Sequence, residues 1–475
     1  MKDLLVMKFG GTSMGSAERI RIAAGIAAAE RRTRPVLVVV SAMSKVTDLL
    51  LDTLHHAEAG DQTGMESCLQ KLRDRHVLTC QELLPPEKHA AALNGIDSLI
   101  SDFQRIANGI RMLGERPPRS VDEAVAIGER LSALLMAAWL ESQGVRAVAV
   151  NAAAIIVTDP VFGNASPLME PTRERASRLL APLIDDGVLT VVTGFNGATA
   201  DGRPTTLGRG GSDFSASILA SVLDASELWI WTDVDGIMTA DPRLVPDASV
   251  LDEVTYHEAA ELAYNGAKVL HPRTLAPLIE KQIPVWSKNS FALDKPGTRI
   301  VPASSAPGGP RAVTSMANVA LISIEPASAA MNVTQLIARA FDALARVNVE
   351  VLLLSSSSYR QSLCFLLRKS ELATALGALE AGLALELAHG YLRPLDVDEN
   401  VGLLAVVGEG MRGTPGLAGR IFTAISRERI NIIAIAQGSS ELTIAVVVRR
   451  DGLEKAVQAV HAECRMGDLA RQTGV

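Results

Sequence analysis

Short aliphatic runs with almost no polar interruptions alternate with stretches of helical periodicity over the first 300 residues. Leu4–Phe9, Val36–Ser41, Val145–Asn151, Val188–Thr193 and Glu227–Thr232 read as strands. Ala17–Arg31, Glu123–Gln143 and Phe214–Leu223 carry apolar residues at helical spacing between them. A strand that is apolar at every position is covered on both faces. The pattern therefore predicts an α/β fold with a mostly parallel sheet sandwiched by helices. It stops near Ile300. Val301–Pro310 (VPASSAPGGP) is dense in proline, glycine and serine and reads as a linker.

Beyond the linker the pattern changes and repeats. Val319–Ile324, Met331–Arg346, Val349–Leu354 and Ser362–Leu367 read strand, helix, strand, strand. Val401–Val407, Gly416–Arg427, Ile430–Ala436 and Leu442–Val448 repeat that order about 80 residues later. Helix-like segments at Glu371–Ala381 and Gly452–Ala462 close the copies, so each predicts a ferredoxin-like βαββαβ unit. The expected organisation is 1–300, a linker at 301–311, and small units at 312–395 and 396–475. Neither small unit carries a cluster of catalytic side chains, which suits sensing or assembly.

Composition narrows the function classes. Hydrophobic residues make up 48% and charged residues 21%, the balance of an ordinary globular protein rather than a disordered one. A net charge of −7 argues against general binding to nucleic acid or to an anionic membrane. An anionic ligand must then be met by local cations. No apolar run approaches the roughly 18 residues of a membrane helix, and the N-terminus is unlike a signal peptide. Cys68, Cys80, Cys364 and Cys464 are widely scattered, which signals neither a disulfide framework nor a thiolate metal site. A cytoplasmic location without a protein-ligated metal is expected.

Three glycine-bearing stretches could carry chemistry. Lys8-Phe9-Gly10-Gly11-Thr12-Ser13 leaves a strand and enters a helix. Paired glycines let backbone amides approach phosphate oxygens, and Lys8 would place a point charge on a transferring phosphoryl group. A Gly-Gly pair also serves as a plain turn, and no Walker A pattern occurs in the chain. Thr205–Asp213 (TTLGRGGSD) sets Arg209 between glycines ahead of a helix, for which Ser212 or Asp213 could be the N-cap. Trp231-Thr232-Asp233-Val234-Asp235-Gly236 ends a strong strand, where ligands collect in open α/β sheets, although Asp235-Gly236 also fits a turn. Lys268 follows in Gly266–Pro272 (GAKVLHP). Glu129 lies within an apolar helix and could equally be a helical glutamate paired with Arg130, while Thr47 could cap a helix at Asp48–His56. Gly408-Glu409-Gly410-Met411-Arg412-Gly413 fits a dinucleotide fingerprint, but the next strand ends Ala436-Gln437-Gly438 without the acid that the ribose requires.

Taken in series, KFGGTS at Lys8–Ser13, VSAM at Val40–Met43, TTLGRGGSD, WTDVDG at Trp231–Gly236, GAKVLHP and GEGMRGTPG at Gly408–Gly416 resemble the aspartate kinases. In that family an amino-acid-kinase domain is followed by tandem ACT domains. The resemblance spans essentially the whole chain, and with no homoserine-dehydrogenase segment after Val475 it is to the monofunctional type. It implies ATP-dependent phosphorylation of the side-chain carboxylate of L-aspartate, the entry step toward lysine, threonine, methionine and diaminopimelate. It implies that Lys8 with Gly10 and Gly11 stabilises the moving phosphoryl group, helped by Mg2+. Arg209 would hold the substrate α-carboxylate and Glu129 the α-ammonium, with Ser41, Thr47, Ser212 and Asp213 orienting the rest. Thr232, Asp233, Met238, Arg243 and Lys268 would line the ATP pocket. A homodimer or larger assembly is expected, with an amino-acid effector such as threonine or lysine at the ACT domains.

Two departures from the family stand out. Met238 occupies a position where many relatives have tyrosine, which keeps an apolar contact and loses a phenolic hydrogen bond. The first ACT copy has Glu325–Ala330 and Ser355–Arg360 where the second has Gly-Glu-Gly-Met-Arg-Gly and Gln437–Glu441, so its effector loops are degenerate. Weak or absent inhibition by lysine is the expectation. The competing readings are another kinase of the same fold, of acetylglutamate or glutamate 5-kinase type, and a non-catalytic amino-acid sensor.

Overall fold

The structure is a computed structural model that describes residues 3–267, 270–304, 308–327, 333–357, 362–464 and 466. It divides into two units. The first comprises Met1–Ile237, Asp252–Tyr256 and Leu270–Ser304, and the second comprises Met238–Leu251, His257–Val269 and Ser305–Val475.

The first unit is built on an eight-stranded sheet. Its strand order is Ala147–Val150, Leu189–Thr193, Val36–Val40, Leu5–Phe9, Glu227–Thr232, Val285–Asn289, Thr298–Val301 and Glu253–Thr255. Every pairing is parallel except that of Val285–Asn289 with Thr298–Val301. The central strands are buried throughout, as their continuous apolar runs require. Alternation then decides which way each side chain points. Leu5, Met7 and Phe9 share a core with the helices Ala17–Glu30 and Ile127–Ser142. Lys8 therefore faces the other side, where the helix Gly211–Val222 packs on the central strands. A separate three-stranded sheet joins Val157–Thr158, Asn196–Thr199 and Pro204–Thr206.

The second unit contains a six-stranded sheet in the order Leu353–Ser356, Leu363–Arg368, Ala312–Ile324, Asp396–Val407, Thr443–Arg449 and Ile432–Gln437. Each half has the 2-3-1-4 strand order of a ferredoxin-like unit, but the halves share strands. Val319–Ile324 pairs with Leu363–Arg368, while Ala312–Met316 of the same long strand pairs with Leu403–Val407. The first repeat closes with residues 396–401, and the second borrows residues 312–316 as its fourth strand. The first repeat is thus inserted into the second, and the expected cut between 395 and 396 falls inside a shared arrangement. The expected boundary at 300 differs as well. Ala240 and Val245 lie in the same core as Ile421 and Val457, so segments before the linker belong to the C-terminal unit.

Local differences have simple causes. The expected strand Val349–Leu354 is Leu353–Ser356, because Val349 and Val351 pack against the core beneath the helix Val333–Arg346. Two long helices lie outside the expected elements: Gln62–Leu83, whose buried face includes His76 and Thr79, and Pro86–Leu113, whose apolar stripe runs from Ala92 to Ile110 at regular helical spacing.

The fingerprint-like glycines of the second repeat serve close packing. A Cβ on Gly408 would lie 2.3 Å from the carbonyl oxygen of Gly309, and one on Gly410 would lie 1.8 Å from its amide nitrogen. These glycines let the chain at 308–311 cross the loop, which leaves no cradle for a pyrophosphate. Gly410→Ala is expected to destabilise the protein by about 1–3 kcal/mol, because backbone cannot yield as a side chain does. Gly419→Ala, in the helix Leu417–Arg427 with open space around it, is expected to stabilise by about 0.5–1 kcal/mol. Urea unfolding midpoints of the two variants check both signs.

Candidate active site

A cavity of about 600 Å³ opens in the first unit at the carboxyl ends of the central strands. Lys8, Gly11, Ser41, Thr47, Glu129, Arg209, Ser212 and Asp213, all anticipated from the sequence, line it. Lys8 is 8% exposed, and its Nζ lies 2.6 Å from Asp213 Oδ1. This follows from strand parity, which turns Lys8 toward the helix whose first turn carries Asp213.

Two helices present their N-termini to this cavity. Val46–Glu58 begins after Lys45, whose φ of 64° is left-handed, and no side chain caps it. Gly211–Val222 begins after Gly210, at φ 70°, also without a side-chain cap. Thr47, Ser212 and Asp213 are therefore not N-caps. They stand in the first helical turns, where backbone amides and the helix dipole favour an anion. The left-handed turns have a steric basis at Gly210, where a Cβ would lie 3.1 Å from the Cβ of His271.

The glycine pair divides its tasks. The Gly10 amide donates to the carbonyl of Trp231 at 3.1 Å, so this donor stitches two strand ends together rather than facing phosphate as expected. A Cβ on Gly10 would lie 3.4 Å from Lys8 Nζ, so its absence leaves room beside the ammonium. A Cβ on Gly11 would lie 3.1 Å from the carbonyl oxygen of Ala42, which brings the Ser41–Lys45 segment close to the loop.

Glu129 is the most perturbed group in the cavity. It is 3% exposed, and its Oε1 accepts from the Ala42 amide at 3.1 Å while Oε2 has no hydrogen-bond partner among the described residues. Burial pushes its carboxyl up to about 8, against the opposing pull of the Ala42 amide and the Lys8 charge. Its pairing with Arg130 is not seen. Arg209 is exposed at the rim without an ion-pair partner among the described residues.

The other anticipated residues are more dispersed. Thr232 ends its strand, and its Oγ1 donates to Asp233 Oδ1 at 3.3 Å. Met238 and Arg243 belong to the second unit, where the Arg243 Nε donates to Asp241 Oδ1 at 3.0 Å. Lys268 lies outside the described residues.

Sequence reading missed Phe195, which lines the cavity at φ 71°. The Asn196 amide donates to the Gly194 carbonyl at 2.8 Å across it, forming a strained γ-turn. A Cβ on Gly194 would lie 2.6 Å from Ser212 Cβ, and one on Gly211 would lie 2.7 Å from Phe195 Cδ2, so this turn and the helix start are fitted together. The only signal was a glycine ahead of Phe195.

Fold and cavity together describe an α/β domain whose cavity, at the carboxyl ends of the central strands, joins a buried lysine to two helix N-termini. Residues 3–289 match the amino acid kinase family and residues 404–464 match the ACT domain. The chain is 34% identical over 477 residues to bifunctional aspartokinase/homoserine dehydrogenase 1, chloroplastic, of Arabidopsis thaliana, covering 99% of this chain and 52% of that protein. It thus spans about half the length of the bifunctional relatives it matches. It is 32% identical to lysine-sensitive aspartokinase 3 of Escherichia coli, covering 97% of this chain and 99% of that one. The crystal structure of E. coli aspartokinase III with aspartate and ADP superposes with a TM-score of 0.83 at 31% identity, covering 97% of this chain and 99% of that one. The chain belongs to the amino acid kinase family, among the aspartokinases.

The Glu129 environment has a consequence for stability. Its carboxyl sits at about 8 in the folded chain against an ordinary value of 4.5. Its contribution is fully present below the unfolded value and is lost as pH rises through the folded one. Glu129→Gln removes this loss, so the variant is expected to gain on the wild type between pH 5 and pH 8. Urea midpoints of both proteins at the two pH values check the sign.

Proposed function

We propose that the chain transfers the γ-phosphoryl group of ATP to the side-chain carboxylate of L-aspartate, giving 4-phospho-L-aspartate and ADP. The observation that carries this reading is the cavity itself: Lys8 and two helix N-termini without side-chain caps face the same space as a buried Glu129 and the rim cation Arg209, with Glu129 Oε2 and the guanidinium lacking partners among the described residues. The former suit phosphate. The latter suit the ammonium and carboxylate of an amino acid.

A carboxylate nucleophile needs no general base, because its ordinary pKa of about 3.9 leaves it ionised at neutral pH. One carboxylate oxygen attacks the γ-phosphorus as the bond to the β–γ bridging oxygen breaks, and the charge leaves with ADP. What the protein must provide is alignment and charge neutralisation. Lys8 neutralises the equatorial oxygens once the nucleotide competes with Asp213 for its ammonium. The first turns of Val46–Glu58 and Gly211–Val222 add amide donors. Arg209 clamps the α-carboxylate, and Glu129, which loses its proton as the arriving positive charge lowers its pKa, receives the α-ammonium on Oε2. Ser41, Thr47 and Ser212 orient the remainder.

No cluster of three His, Cys, Asp or Glu occurs among the described residues, so a cage of protein ligands for Mg2+ is not formed there. Magnesium bound mainly through nucleotide phosphates needs only one or two carboxylates, and Asp213 in the cavity fits that demand. When bound, the ion would add positive charge on the phosphate oxygens.

The reading extends to the setting. The reaction would open synthesis of the lysine, threonine, methionine and diaminopimelate group. The four cysteines are free, which fits a reducing, cytoplasmic environment. Paired ACT units favour a homodimer or larger assembly with an amino-acid effector. The degenerate loops of the first copy, Glu325–Ala330 and Ser355–Arg360, fall outside the described residues at 328–330 and 358–360. Their composition argues for weak lysine inhibition.

Hydroxamate trapping across aspartate, glutamate and acetylglutamate tests the substrate, with signal expected from aspartate alone. Lys8→Ala should cut kcat by on the order of 10²–10³-fold or more with the fold intact, since it removes the principal transition-state cation. Near-normal turnover in that variant would sink the assignment. Lysine titration of ADP release should give no half-inhibition at or below low millimolar concentration.

A further inference from the structure

We propose that Asp122 is a positioning residue that sets the separation between Glu129 and Arg209. The inference rests on the reading of those two groups as clamps for the α-ammonium and α-carboxylate of the substrate. Asp122 does not line the cavity, so any effect on the reaction passes through the groups it holds.

The tie is complete on both sides. Asp122 is 2% exposed and accepts three hydrogen bonds: from the Thr206 amide at 2.9 Å, the Thr206 hydroxyl at 2.7 Å and the Gly163 amide at 2.8 Å. The remaining polar group of Thr206, its carbonyl, accepts from the Ala165 amide at 2.8 Å. Thr206 thus has no free polar group with which to shift. Three residues later the same strand end delivers Arg209.

On the other side, Asp122 lies in the helix Pro118–Val125, which runs almost directly into Ile127–Ser142 with Glu129 in its first turn. Only Ala126 separates the two helices, so the segment that carries Asp122 leads directly into the one that carries Glu129. Asp122 anchors the arm that bears Arg209, and Glu129 faces the cavity. Arg273 braces the arm from a third element. Its guanidinium donates to the carbonyls of Leu207 at 3.4 Å and Ala165 at 3.1 Å.

A carboxylate is a poor choice for stability alone in this position. Burial raises its pKa even against three donated hydrogen bonds. Buried ionic groups often give no more stability than apolar residues of the same volume, and in some proteins their role is to fix geometry instead. The geometry fixed here is the distance between the two ends of an α-amino acid.

Asp122→Asn turns an amide toward donors, and Thr206→Val removes the hydroxyl at constant shape. In the full chain, Asp122→Asn is expected to raise the aspartate KM roughly tenfold or more, since misplaced clamps lose binding steeply. Thr206→Val should raise it severalfold, with Thr206→Ser restoring it, and the ATP KM should stay within about twofold throughout. A role limited to stability would lower Tm and active fraction at an unchanged aspartate KM, and that result overturns the proposal, as does an equal rise in both KM values. If Asp122→Asn does not fold, the Thr206 pair gives the same split. Absence of aspartate turnover in the wild type overturns the substrate reading and this inference with it. Normal wild-type turnover with unshifted KM in the variants overturns only the role of Asp122.

Discussion

Two helix starts without side-chain caps govern the first unit: the Val46 and Gly211 amides donate to the carbonyls of Met43 and Gly208, and the next amides of each first turn face the cavity side. Val46–Glu58 and Gly211–Val222 each begin after a left-handed residue, and neither receives a side-chain cap. A side-chain cap is worth about 1 kcal/mol to a helix where one is present. Leaving both ends open beside one cavity concentrates partial positive charge where Lys8 already stands. That arrangement has to be held by backbone packing, and the close fits around Gly11, Gly194, Gly210 and Gly211 provide it. An overall charge of −7 is no obstacle to an anionic ligand when the attraction is this local.

The Lys8–Asp213 pair belongs to the same logic. A lysine 8% exposed needs a partner, and a carboxylate in the first turn of a helix is favourably placed to be one. The pair keeps the ammonium in position without ligand. On the proposed function, a triphosphate, carrying more charge and more acceptors, would take over the contact. Glu129 differs because only one of its oxygens is partnered, which leaves it suited to accept from a cation that arrives with the substrate.

Much of this was legible in the chain. Continuous apolar runs gave the central strands nearly residue for residue, because burial on both faces leaves no alternative at those positions. The residues lining the cavity were legible because lysine, arginine and acids set among glycines have few structural reasons to be there. Other features were hidden in physical terms. The strained turn at Phe195 depends on tertiary fit, and nothing in a phenylalanine announces a positive φ. Asp122 carries no signal in the sequence, because its role depends on hydrogen bonds from Thr206 and Gly163, which are distant in the chain. The Gly408-Glu409-Gly410 stretch matched a nucleotide motif for a reason unrelated to nucleotides: another segment of backbone needed the space. The shared long strands could not be read either, since each repeat looks self-sufficient in its own periodicity.

The inserted arrangement of the two repeats bears on how the C-terminal unit is made. Residues 312–316 leave the ribosome about 90 residues ahead of 403–407, the stretch they pair with, so that edge waits unpaired through synthesis of the whole intervening repeat. An excised piece starting at 396 would expose the flank of Leu403–Val407, an apolar edge open to association with other chains. The smallest segment that holds all six strands of this sheet and the helices packed on them starts at Ala312 and runs through the helix Leu453–Glu463. Modularity in the amino-acid pattern is therefore not modularity in the folded chain.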